Sequence, residues 1–192
     1  KGAVEEGFFQ YQGSLNHDAV AAARNISLFF KVHDAELAFQ PGWPHVRNVS
    51  GDVFIEDSGV RIMASKGQLL DTQVRDVAVS IPHVPSGKVS HLFLDGNFDG
   101  GLGDGLKILQ DAPIGTASTF AGWQGEGSLK GRVDLDIPLD KGEEPKIQVD
   151  FKTDKARLKI SDPELELTQL KGDFRFDSVK GLSGKAISAR AF

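Results

Sequence analysis

The strongest constraint in this sequence is a hydrophobic period of two. Leu129, Gly131, Val133, Leu135, Ile137 and Leu139 alternate with Lys130, Arg132, Asp134, Asp136 and Pro138. Successive side chains of a β-strand point to opposite faces, so this segment reads as a strand with one apolar and one wet face. The pattern recurs. Ile147, Val149 and Phe151 alternate with Gln148, Asp150 and Lys152, and Val53 and Ile55 oppose Asp52 and Glu56. Val77, Val79 and Ile81 repeat it, as do Phe174 and Phe176. Further strands are expected over 7–13, 26–39, 59–65, 89–98, 156–160, 164–168 and 184–191, with breaks such as Asp57-Ser58-Gly59 and Lys141-Gly142 between them. One-sided alternation implies antiparallel pairing, because a parallel sheet buries both faces.

Helix is scarce. The Ala-rich stretch 17–24 has Asn16 as an N-cap candidate. Residues 105–111 follow a second cap candidate, Asp104, and stop ahead of Pro113. This second segment is expected to be a short helix covering a sheet edge or a groove mouth.

The chain also resembles itself. Sliding it by 121 residues superposes Ile26 on Ile147, Phe30 on Phe151, Lys31 on Lys152, Ala35 on Ala156, Leu37 on Leu158 and Gly51-Asp52 on Gly172-Asp173. No gap is needed from 26 to 57. An internal repeat over 26–146 and 147–192 is therefore expected, the second copy incomplete. Repeated strands suggest a sheet that grows along one axis. The start at Lys1 and the abrupt end at Ala191-Phe192 lead us to expect that residues 1–192 are a piece of a longer chain.

Chemistry is nearly absent. With no Cys, thiol catalysis, iron–sulfur clusters and Cys-based zinc sites are excluded. The 27 Asp and Glu against 22 Lys and Arg argue against nucleic acid as a partner, since phosphate neutralisation needs clustered cations. The five His show no metal-ligand spacing, and there is no nucleophile elbow, P-loop or dinucleotide fingerprint. No catalytic residue and no cofactor are expected. Carboxylate pairs such as Asp134/Asp136 and Glu164/Glu166 share a strand face, the one trace of a carbohydrate-active reading. Asp95-Gly-Asn97-Phe-Asp99-Gly100 matches the first half of an EF-hand loop, but position twelve is Leu106, where a bidentate Glu is needed. Asp95, Asn97 and Asp99 thus make a weak calcium candidate, with a Gly/Asp-rich turn as the plainer expectation.

What remains is shape. An apolar sheet face must be covered. It is covered either by a second sheet, giving a dry sandwich of a scaffold or adhesion module, or by curling into a groove for an apolar ligand. The lining residues, rich in Phe, Val, Ile and Leu, suit both.

Several stretches, in order, carry a resemblance. They are Phe39-Gln-Pro41-Gly-Trp43-Pro44, Val49-x-Gly51-Asp-Val53, Ile81-Pro82, Asp104-Gly-Leu106-Lys-Ile108-Leu109 and Ala112-Pro113-Ile-Gly115. Gly131-x-Val133-x-Leu135-x-Ile137-Pro138-Leu139 and Leu170-x-Gly172-x-Phe174 complete the series. The chain resembles the YhdP branch of the AsmA-like proteins of Gram-negative bacteria, and pseudomonad members most of all. The resemblance implies a mainly β fold: an elongated, curved antiparallel sheet, a repeating or taco-like β-groove, with one or two short helices. It implies a non-enzymatic, bridge-like lipid-transfer protein. Such a protein sits in the periplasm, is tethered to the inner membrane by an N-terminal helix outside this sequence, and carries phospholipid between the inner and outer membranes. The partners would be phospholipid acyl chains and, through other parts of the protein, the two membranes. Val53, Ile55, Val79, Ile81, Val133, Leu135, Ile137, Val149, Phe151, Phe174 and Phe176 are the candidate groove residues, and an ordinary core role stays open for each. Trp43 and Trp123 are candidates for headgroup contact, with a structural corner beside Pro44 the better reading of the first.

Overall fold

The computed structural model describes residues 2–13, 24–38, 41–140 and 142–191. Ten strands and one helix follow in chain order: β1 (Ala3–Gly13), β2 (Arg24–Leu37), β3 (Val46–Glu56), β4 (Gly59–Leu69), β5 (Thr72–Pro82), β6 (His91–Gly101), α1 (Leu102–Asp111), β7 (Gln124–Pro138), β8 (Lys146–Ile160), β9 (Leu165–Asp177) and β10 (Gly181–Ala191). Each strand pairs antiparallel with its sequence neighbour, in the order β1 to β10 without a crossover. The mainly β, single-sheet expectation holds. The sheet is open and uncurled, so the taco-like fold-over is not formed, and β1 and β10 are its two edges. The Ala-rich segment 17–24 lies outside the described residues except for Arg24, which opens β2.

Several strands are longer than the alternation suggests, because bulges change its phase. In β8 the inward positions are Ile147, Val149, Phe151 and Thr153, then Ala156 and Leu158. Lys155, at φ 58°, supplies the extra residue, and the register with β9 shifts between Thr153 and Ala156. A bulged residue faces no partner, so the apolar set moves from odd to even numbers while staying on one face. In β2 the same step occurs at Asp34, φ 49°, between Val32 and Ala35. β9 reverses phase at Gln169, φ 53°.

These irregularities are matched. Leu28 faces Ile55 and Phe30 faces Val53, and 121 residues later Val149 faces Phe176 and Phe151 faces Phe174. Ala35–Val49 and Leu37–Val46, beyond the bulge, recur as Ala156–Leu170 and Leu158–Leu167. Asn48, φ 54°, stands where Gln169 stands in the later hairpin. The β3–β4 ladder likewise recurs in β9–β10: Ile55–Val60 and Ser50–Lys66 become Phe176–Leu182 and Lys171–Ser188.

α1 runs straight on from β6. Its N-cap is Gly101, not Asp104, which lies in the first turn. The helix ends at Asp111 with Ala112 as C-cap, as Pro113 requires. Leu106 is its buried residue. The main core joins Leu106 and Phe120 to Leu135, Ile137, Ile147 and Phe176. Trp43, from the β2–β3 connection, packs against this core, and a Cβ on the adjacent Gly42 would meet the Pro113 ring at 3.4 Å. A smaller cluster joins Ala35, Val49 and Ala64.

Candidate functional site

The register places all eleven candidate groove residues on one face. Val53, Ile62, Val79, Leu94, Leu135 and Ile147 are successive cross-strand neighbours from β3 to β8. At about 4.8 Å per strand this unbroken apolar row is ~24 Å across. Ile55 lies in a parallel row with Leu28, Val60 and Ile81. Val133, Val149, Phe176 and Leu182 make a third. Ile137 faces Leu92, and the Phe151 and Phe174 rings stack at 5.3 Å. Gly131 stands between Phe98 and Phe151, where a Cβ would meet the Asp150 carbonyl oxygen at 2.0 Å.

The face is not uniform. Leu135, Ile137 and Phe176 are buried in the core. Val53, Ile55, Val79, Ile81, Val133, Val149, Phe151 and Phe174 are half-buried. α1 and the segment behind it account for much of the difference, because they lie against β7 to β9. Phe120 packs edge-on against both Trp123 and Phe176. A cavity of about 100 Å³ stays open beneath them, lined by Leu102, Leu106, Leu158, Leu170, Phe174 and Leu182, among others. The hydroxyl of Thr153 in its lining is donated to the Ser128 carbonyl oxygen at 2.7 Å. Water placed there would find almost no partners. An apolar chain would lose none.

Alternation alone led to the strand residues and missed this cover. Leu102, Leu106 and Leu109 are spaced for a helix face, but Phe120 and Trp123 sit in an irregular stretch with no period to mark them. The cover is tied down by polar contacts. Asp104 Oδ2 accepts from the Asp71 amide at 3.0 Å and the Thr72 hydroxyl at 2.8 Å. Gln110 Nε2 donates to the carbonyl oxygens of Phe120 and Trp123. Thus Asp104 serves α1 as a tether to the β4–β5 turn. Trp123 and Trp43 are both partly buried and pack against the core.

The opposite face is polar and ion-paired. Asp99 meets Lys130 at 2.8 Å and Arg75 at 3.8 Å, and Asp95 pairs with Arg132. The expected Gly/Asp turn is instead the interior of β6. Asp95, Asn97 and Asp99 stand along it one pleat apart, about 6.7 Å, too far to close around one calcium ion. Among the described residues no three His, Asp or Glu side chains form a metal-binding group. Of the carboxylate pairs, Asp136 bonds His91 and Glu166 pairs with Arg157. Asp150 takes both Nε and Nη2 of Arg175, which holds its pKa below the ordinary aspartate range and raises that of the guanidinium. Asp177 is lowered by the Lys180 and Val179 amides, and Glu36 by its hydrogen bond to His45. Phe29 and Phe54 form a small aromatic stripe on this face, with the Arg61 guanidinium over Phe54.

One face is therefore hydrocarbon-like across many strands and the other is rich in ion pairs. The model of the YhdP protein family matches residues 1–192, the whole chain. The chain belongs to the YhdP family. No curated protein and no solved structure matches it. YhdP membership points to a lipid-transport-related protein, in a family not known for enzymatic activity. The two-faced sheet of this YhdP-family chain is the part of it that suits such a role. No helix among the described residues is long and apolar enough to cross a membrane.

Proposed function

We propose that this chain is a segment of a non-enzymatic phospholipid conduit, holding acyl chains against its apolar sheet face. The observation that carries the reading is the unbroken row from Val53 to Ile147, half-buried over β3 to β6 and backed by a charged face. Keeping one methylene out of water is worth about 0.8 kcal/mol, so two acyl chains bring tens of kcal/mol to such a surface. A row without polar side chains holds a chain at no fixed position, which is what transfer requires. The headgroup stays wet at the open side. In this reading the segment works in the periplasm between inner and outer membrane, held to the inner membrane by a part outside residues 1–192.

A second reading is a scaffold module with a dry core. It is favoured by Leu135 and Ile137, which are only 8% and 4% exposed beneath the cover. Native mass spectrometry of the purified protein separates the two. Co-purifying phospholipid supports the conduit; a lipid-free chain that takes up no added phospholipid supports the scaffold.

A further inference from the structure

We infer that α1 and the segment 112–123 behind it form an autoinhibitory lid, which fills one stretch of the apolar face and swings aside to admit an acyl chain. The inference deepens the conduit reading and rests on it.

What the lid sits on carries the first half of the inference. Beneath it Phe151 faces Phe174, as Phe30 faces Val53 on the open part of the same sheet. The floor is therefore ordinary groove floor. The roof is apolar as well, with Leu102, Leu106, Leu109, Phe120 and Trp123 lining the space from above. Between roof and floor about 100 Å³ is left, against roughly 300–1,000 Å³ for a pocket that takes a small-molecule ligand. With the lid seated, an acyl chain has no path over β7 to β9. The lid covers the surface that such a chain would cover, so the two compete for it.

How the lid is fastened carries the second half. Internally it is one unit. Gln110 donates to the carbonyl oxygens of Phe120 and Trp123, and Thr116 donates its hydroxyl to the Leu109 carbonyl oxygen at 2.5 Å. Its hydrogen bonds to the sheet stand near its two ends. Asp104 accepts from the Asp71 amide and the Thr72 hydroxyl, and Ser161, in the β8–β9 turn, donates to the Gly122 carbonyl oxygen at 2.8 Å. The middle is held by apolar contact, such as that of Phe120 with Phe176. Apolar contact is non-directional, so an acyl chain replaces it without leaving a polar group unpaired. The backbone enters and leaves the lid through glycine. Gly101 caps α1 without a side-chain bond, Gly103 and Gly105 follow within the helix, and Gly122 stands at φ 76° just before Trp123. Glycine weakens a helix and permits the left-handed backbone, so both ends can turn. The lid is thus a coherent flap with soft ends, and Asp104 is the latch at its α1 end.

The test gives the purified chain vesicles of phosphatidylethanolamine and phosphatidylglycerol. A benzoylphenylalanine photo-crosslinker stands either at Phe174, beneath the lid, or at Ile62, on the open row. Asp104→Ala removes the latch. It should raise phospholipid adducts at Phe174 about fivefold or more and leave those at Ile62 unchanged. Thr72→Val, which removes one of the two donors, should raise them by a smaller factor. Unchanged amide exchange over β8 and β9 shows that both variants keep the sheet. Adducts at Ile62 with none at Phe174 in any of the three chains, or equal labelling of Phe174 with and without the latch, would make the cover a fixed wall and overturn the lid. No adduct at either position would overturn the conduit reading itself, and the lid with it.

Discussion

Asp104 Oδ2 lies 2.8 Å from the hydroxyl of Thr72 and 3.0 Å from the amide of Asp71, tying the first turn of α1 to the β4–β5 turn. Hydrogen bonds to a carboxylate are among the stronger ones, and here both donors sit on one rigid turn. Asp104→Ala should cost about 1–2 kcal/mol in denaturant unfolding. Amide exchange should quicken over Leu102–Asp111 and leave β8 and β9 unchanged. Thr72→Val should give part of the same effect.

The apolar face should divide into two energetic classes. Ile137, 4% exposed, touches the core beneath Phe120 and α1, so Ile137→Ala should cost about 2–5 kcal/mol. Ile55 is half-buried in the neighbouring row, and Ile55→Ala should cost about 1 kcal/mol. Urea midpoints of the two variants measure the difference. Equal losses would mean that the face of β3 is as tightly covered as that of β7.

Acid should weaken the charged face in a definite window. Asp150 and Asp177 have folded-state pKa values below the ordinary aspartate value, from the Arg175 guanidinium in one case and two backbone amides in the other. A lowered folded pKa gives stability that is complete above the unfolded value and lost as pH falls through the folded one. Stability should therefore be flat at neutral pH and decline in the acid range below the ordinary aspartate pKa. The double variant Asp150→Asn, Asp177→Asn should show a shallower decline in urea titrations across that range. Both groups are exposed, so the slope is modest.

The strands were legible wherever the period of two survived. β7 shows itself through Leu129 to Ile137, and β3 through Val53 and Ile55. β8 reads as two fragments, because Lys155 bulges and moves the apolar set from Phe151 and Thr153 to Ala156 and Leu158. The same step hides the join of β9 at Gln169. The candidate groove residues were legible because each faces a residue of the same kind on the next strand. The cover was only half legible: α1 was readable from Leu106 and Leu109, whereas Phe120 reaches the core from a loop whose path no local pattern fixes. Asp104 looks like a cap in sequence, since its first-turn position suits either role, and only its distance to Thr72 separates them. Asp95 to Asp99 read as a turn from composition, but β7 pairs with them residue for residue and makes them strand.

The central claim is that the half-buried apolar face carries acyl chains. Photo-crosslinking amino acids at Ile62 and Val79, neighbours across β4 and β5 on that face, test it against Arg61 and Ser80, neighbours on the other. In cells expressing the tagged protein, Ile62 and Val79 should yield phospholipid adducts and Arg61 and Ser80 none. Equal labelling of the two faces, or no lipid at Ile62 and Val79, would contradict the conduit.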